Sequence, residues 1–209
     1  MGNGRVSQVL ARQYDRISER LERGIGGPQL RTTLVGDLTG RVVEIGAGTG
    51  RNLPYYSKAD HVVAVEPSSG MRSQLMGKID SAAPAVEVID ATGERLPFED
   101  EEFDAAVSFL LLCVVDDLDG VLTEIHRVLK PGGRLSFFEH VRDVGRRGRT
   151  QDLTSPLLRR VQFGCRPNRR SIERMQALGF EVQVSDPPVP IKPRPPFSGP
   201  YFTGTAIRR

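Results

Sequence analysis

The residues 43–52, VEIGAGTGRN, set three glycines (Gly46, Gly48 and Gly50) at alternate positions behind an apolar run and an acid, Glu44. Glycine accepts positive φ and carries no Cβ, so alternate glycines let the chain turn sharply and let a ligand approach the backbone. The spacing is GxGxG, whereas dinucleotide sites read GxGxxG and place a pyrophosphate at a helix N-terminus. An acid two residues before the first glycine suits an ammonium group. A second acid, Glu66, ends the next apolar run, where a carboxylate reaches both hydroxyls of a ribose. The competing reading makes Glu66 the N-cap of the following helix. The pattern as a whole fits an adenosyl ligand with an amino-acid tail and no phosphate.

Other reactive side chains are few. His140 closes the apolar run RLSFFEH beside Glu139. It is the candidate general base, or else it orders neighbouring segments through hydrogen bonds. His126 stands next to Arg127 on an amphipathic stretch and reads as solvated, and His61 begins a strand at the far end. Cys113 is a nucleophile or redox-sensitive thiol, or simply a small core residue. Cys165 sits in FGCRPNRR, where Arg166, Asn168 and Arg169 either hold an anionic substrate or form a solvated turn.

The elements that must position these groups follow from periodicity. Apolar residues at 9, 10, 14, 17 and 21 are spaced as a helix over 7–23, which Gly24, Gly26, Gly27 and Pro28 stop. A short helix over 29–38 follows. Strands are expected at 41–45, 60–66, 85–89, 103–109, 134–140, 180–184 and 201–207. Helices are expected at 69–79, 118–129 and 171–178, with a weak start at 52–56. Such alternation predicts a mostly parallel sheet with helices on both faces. The final two strands, joined by the proline-rich 187–200, predict an antiparallel hairpin at one edge.

Composition sets limits. A 209-residue chain, 38% apolar and 26% charged, is an ordinary globular composition and fits one domain. Its longest apolar run, VSFLLLCVV, is too short for a bilayer, which needs about 20 residues. No apolar signal region is visible at the start, so a cytoplasmic location is expected. Val6 stands where myristoylation wants Ser or Thr. Two cysteines without close spacing exclude a disulfide scaffold and a cysteine metal site. No metal is expected. Between Arg142 and Arg174 ten arginines face three acids. That stretch is a solvated basic face or a surface for an anionic ligand. Aromatics are 6% and do not interleave with it, so nucleic acid is not expected as a partner.

With VVEIGAGTG, VVAVEPSSGM, GERLPFEDEEFDAAVS and EIHRVLKPGGRLSF in order across 41–140, the sequence resembles class I S-adenosylmethionine-dependent methyltransferases. ATGERLPF, FFEHV, FGCRPNR and the closing GPYFTGTAIR are similar to the methyltransferase-like seven group, whose characterised members methylate alkyl thiols. That group's membrane-bound members carry an N-terminal apolar anchor; this chain resembles a relative without one. The resemblance implies a Rossmann-like α/β fold with seven strands, the last antiparallel, and S-adenosylmethionine as cofactor. It implies a single domain: a helical cap at 1–38, a cofactor core at 39–140 and substrate lid segments at 141–170 and 187–200.

Carried over by position, Glu44 and the turn Gly46, Ala47, Gly48, Thr49 and Gly50, with Asn52, would hold the methionine part. Glu66 would bind the ribose, and Pro67 and Met71 would flank the adenine. Thr92 stands where relatives have an aspartate for the adenine amino group, leaving backbone groups of Gly93 and Glu94 to supply that contact. Phe109 and Leu110 would line the methyl-transfer face. Tyr14 would close over the cofactor, or pack as a core aromatic. The implied reaction is methylation of a small molecule, most directly a thiol. O-, N- or C-methylation of a quinone or secondary metabolite, a nucleotide-dependent oxidoreductase and a noncatalytic binder are the competing readings.

Overall fold

A computed structural model describes residues 15, 16, 18, 19, 22, 26–79, 84–161, 164–185, 189 and 199–209. Seven strands form one sheet in the order β3-β2-β1-β4-β5-β7-β6. They are β1 Gly40–Ile45, β2 Ala59–Val65, β3 Ala85–Ile89, β4 Phe103–Phe109, β5 Leu129–His140, β6 Phe180–Val184 and β7 Tyr201–Arg208. Pairings among β1 to β5 are parallel, whereas β7 runs antiparallel to both β5 and β6. The reversal of order at β1 and β4 brings two carboxyl ends together without a covering helix, where doubly wound sheets bind ligands.

β1 and β4 are central, and their apolar residues are buried on both faces, as near-continuous Val, Ile and Ala runs require. One face packs Val43, Ile45 and Phe137 against α3 Leu118–Val128. That helix buries Leu118, Val121, Leu122, Ile125 and Val128, a three-to-four spacing, and Asp117 caps it by accepting the Gly120 N–H. The other face packs Val42, Val62, Val107 and Phe138 against α1 Gly27–Val35 and the 3-10 turn Leu53–Tyr55. α2 Ser69–Met76 follows β2.

From residue 26 onwards the expected elements recur within the described residues, with ends shifted by a few residues. β5 starts earlier than expected, at Leu129. The PGG turn falls within it and shifts the register against β4 between Phe103 and Ala105. α4 Gly145–Val161 occupies a stretch for which the sequence predicted only a lid, and α5 Ser171–Ala177 follows. Residues 15, 16, 18, 19 and 22 are helical, within the helix expected over 7–23. Tyr14 and most of 187–200 lie outside the described residues. Among the described residues no helix is long and apolar enough to cross a membrane, and no cluster of His, Cys, Asp and Glu could hold a metal.

Candidate active site

The turn after β1 is tied to β2 because the N–H groups of Gly46 and Ala47 both donate to the Val65 carbonyl, at 2.8 and 3.0 Å. All three glycines have positive φ: 68°, 58° and 75°. Their surroundings differ. A Cβ on Gly46 would lie 2.6 Å from Leu111 Cδ1, and one on Gly50 would lie 3.0 Å from Leu75 Cγ. Around Gly48 only the Gly46 carbonyl comes within 4 Å, at 3.9 Å. Gly46 and Gly50 therefore lack side chains to suit the protein, whereas Gly48 faces open space.

The N–H of Gly48 donates to Glu66 Oε2 at 2.9 Å, and that of Ser68 donates to Oε1 at 2.8 Å. Burial raises the Glu66 carboxyl above its usual range, against the pull of those two N–H donors. The cap of α2 is the Ser68 hydroxyl, which accepts the Met71 N–H at 3.4 Å. Glu66 is thus free of the capping role. Each of its oxygens keeps a lone pair for an incoming hydroxyl. Open space over Gly48 beside a carboxylate with spare acceptors fits an adenosyl ligand with an amino-acid tail.

Glu44 lies beneath the turn and is only 2% exposed. Its oxygens accept from Asn52 Nδ2 at 2.7 Å and Tyr56 OH at 2.8 Å. Burial raises its carboxyl despite both donors. Arg31 extends the network, donating to Asn52 Oδ1 and to Glu22, with its guanidinium 4.1 Å from the Phe109 ring centroid. Arg31 was not singled out from the sequence, where it is one of many arginines. Thr49 donates to Asp15, and Lys78 donates to the Thr49 carbonyl at 2.8 Å, so the N-terminal helix docks on the glycine turn. Pro67 is exposed and Met71 half-buried after β2; Thr92 is exposed and Glu94 half-buried after β3. Gly93 is buried, and a Cβ there would meet Ile45 Cγ2 at 2.9 Å.

The loop after β4 is held by a second buried carboxylate. Glu139 Oε1 accepts the Ser108 hydroxyl at 2.6 Å and the N–H groups of Leu111 at 3.0 Å and Leu112 at 3.1 Å. Within this loop Leu110 has φ 56°, a strained value for a branched residue, and its N–H donates to the Phe138 carbonyl at 2.8 Å. Burial pushes the Glu139 carboxyl up to about 7, with Ser108 and the backbone donors pulling the other way. The sequence marked this acid only as a neighbour of His140.

His140 is buried at the end of β5, its ring stacked on Tyr201 with centroids 4.3 Å apart. The Gly199 N–H donates to Nε2 at 2.8 Å, which assigns the ring proton to Nδ1. Nδ1 lies 3.4 Å from Cys165 Sγ. The one lone pair a base would use is therefore occupied, and both ring nitrogens bind segments expected to form the lid. This is the orienting geometry of the two sequence readings.

Within the basic segment four of the arginines are paired with acids. Arg159 and Arg166 meet Asp116, Arg174 meets Asp119 and Arg142 meets Asp152. Arg169 donates to the Val115 and Asp116 carbonyls, and Asn168 accepts from Ser155. The three side chains proposed to hold an anion are thus engaged with the loop after β4 and with α4. They bound a cavity of about 610 Å³ that also touches Asp116, Asp119 and Asp152.

A seven-stranded sheet with β7 antiparallel, a glycine turn after β1 and a carboxylate ending β2 define the class I S-adenosylmethionine-dependent methyltransferase fold. The model of a methyltransferase domain matches residues 43–137. The chain is 32% identical over 173 residues to the thiol S-methyltransferase TMT1B of Rattus norvegicus, covering 80% of this chain and 70% of that one. It is 37% identical over 150 residues to a demethylmenaquinone methyltransferase of Clavibacter sepedonicus, covering 65% and 58%. A solved structure from Thermotoga maritima, a possible histamine N-methyltransferase, superposes with TM-score 0.69 at 25% identity over 97% of this chain and 98% of that one. The chain belongs to the S-adenosylmethionine-dependent methyltransferase family. It is an enzyme, and S-adenosylmethionine is its cofactor.

Proposed function

We propose that this methyltransferase acts on the sulfur of a small thiol. The observation that carries the reading is His140, whose Nε2 accepts the Gly199 N–H and whose Nδ1 faces Cys165, so this imidazole does not stand ready as a base. A carbon or alcohol acceptor needs a group to take its proton. A thiol titrates near about 8.5 and is already a few per cent thiolate at neutral pH, so positioning suffices. The likeness to a thiol S-methyltransferase over most of the chain supports the same choice.

S-adenosylmethionine supplies an electrophilic methyl group on a sulfonium. In this reading the turn 46–50 and Asn52 receive its amino-acid tail, and Glu66 takes the ribose hydroxyls. Pro67 and Met71 flank the base, with Thr92, Gly93 and Glu94 at its edge. Phe109 and Leu110 would line the methyl-transfer face, and the Glu139 carboxyl group fixes the loop that carries Leu110. In-line transfer gains most of its rate from such alignment. Residues 39–140 form the cofactor core, and 141–170 with 187–200 form the substrate lid.

A second reading, C-methylation of a demethylated quinone, is favoured by the Clavibacter sepedonicus relative. The test is release of S-adenosylhomocysteine with alkyl and aryl thiols, phenols, quinols and amines. Turnover confined to thiols is expected. Turnover on quinols with none on thiols would discard the sulfur assignment.

A further inference from the structure

Cys113 lies in the loop after β4 and Cys165 lies beyond α4. The fold brings them together: the Arg166 N–H donates to the Cys113 carbonyl at 2.7 Å, which sets Cys165 beside Cys113. The Cys113 thiol also points at the Leu110 carbonyl, 3.6 Å away. Cys165 has His140 Nδ1 at 3.4 Å, and that nitrogen carries the ring proton because Gly199 occupies the other. The Cys165 sulfur therefore receives an imidazole N–H. Cys113 is buried, whereas Cys165 is partly exposed.

We propose that Cys165 and Cys113 form a peroxide-reactive dithiol, with Cys165 as the attacking thiolate and Cys113 as the resolving thiol. The neighbouring Cys113, with His140 helping, holds the Cys165 thiol well below the usual range against burial. The neighbouring Cys165, followed by burial, pushes the Cys113 thiol up. A thiolate with partial access is the form that attacks hydroperoxides. The Cys165 sulfur attacks one peroxide oxygen, the O–O bond breaks, and a sulfenic acid and hydroxide result. The hydroxide takes up the proton Cys165 had already lost to solvent. The Cys113 thiol then attacks the sulfenic sulfur, the S–O bond breaks and a second water leaves with the thiol proton. The two sulfurs lose two electrons in all, and the peroxide is reduced to two waters. The product would tie the loop after β4 to the segment that follows α4.

The full-length protein, treated with equimolar hydrogen peroxide, should lose both free thiols and two mass units. Digestion without reductant should yield a peptide joining Cys113 to Cys165, and dithiothreitol should restore both thiols. In Cys113→Ala the sulfenic acid on Cys165 should persist long enough for dimedone to capture it. In Cys165→Ser, Cys113 should react at least tenfold more slowly than Cys165 does in the unaltered protein. Sulfinic acid on Cys165 without a crosslink, a dimer joined between chains, or equal reactivity of the two thiols would each overturn the proposal. Circular dichroism of both variants separates lost reactivity from lost fold.

Discussion

The N–H of Gly48 donates to the Glu66 carboxylate at 2.9 Å, joining the turn after β1 to the end of β2 across the opening between them. This bond places an acceptor group beside the one glycine of the turn that faces open space. Glu66→Gln keeps the shape but removes the charge and turns one acceptor into a donor. Hydrogen bonds to charged groups contribute about 1.5–3 kcal/mol, so affinity for S-adenosylmethionine should fall roughly 10- to 100-fold. Isothermal titration calorimetry checks it, with far-UV circular dichroism as a control for folding. Unchanged affinity would remove Glu66 from the site.

His140 links two lid segments to β5, and its removal should show that role. His140→Ala leaves the Gly199 N–H without its acceptor, a loss of about 1–3 kcal/mol for a buried group. Thermal stability should drop and the KM for the acceptor should rise, while cofactor affinity holds. The pH dependence of kcat should keep its shape. A large fall in kcat together with loss of one limb of the profile would restore His140 as the base.

Glu139 gives a signature in pH. Its carboxyl titrates at about 7 in the folded protein against an ordinary 4.5. Between those values the native state holds a proton that the unfolded chain has lost. The stability due to Glu139 is fully present below the lower value and is lost as the pH rises through the upper one. That loss is on the order of 3 kcal/mol at most. Glu139→Gln cannot titrate, so its stability relative to the unaltered protein should improve from about pH 5 to about pH 8. Urea unfolding at several pH values measures this difference, and parallel curves would show that Glu139 titrates normally.

The readable part of this protein is the part where chemistry is local in sequence. The central strands are apolar runs, and the GxGxG turn and Glu66 stand in the open. What made Gly48 different from Gly46 and Gly50 was not readable, because Leu111 and Leu75 arrive from elsewhere in the chain. α4 escaped notice for a physical reason. Its buried face is Gly148, Gln151, Ser155 and Leu158, while Leu153 and Leu157 are exposed, so hydrophobic periodicity gives no signal. Gln151 holds that helix by polar contacts, donating to the Val141 and Pro167 carbonyls and accepting the Asp143 N–H. Glu139 was legible as a strand residue, but the donors it gathers come from β4 and the loop after it. The same separation hid the contact between Cys113 and Cys165, and the pairing of the basic segment with Asp116 and Asp119.

The cofactor cradle rests on Gly48, and calorimetry with S-adenosylmethionine on Gly48→Val tests it most directly. A Cβ there enters open space, at a strain of about 1–2 kcal/mol for a branched residue at φ 58°. The account predicts a folded protein, a few degrees less heat-stable, with no measurable heat of binding. A folded variant that binds S-adenosylmethionine as tightly as the unaltered protein would contradict the placement of the cofactor over this turn.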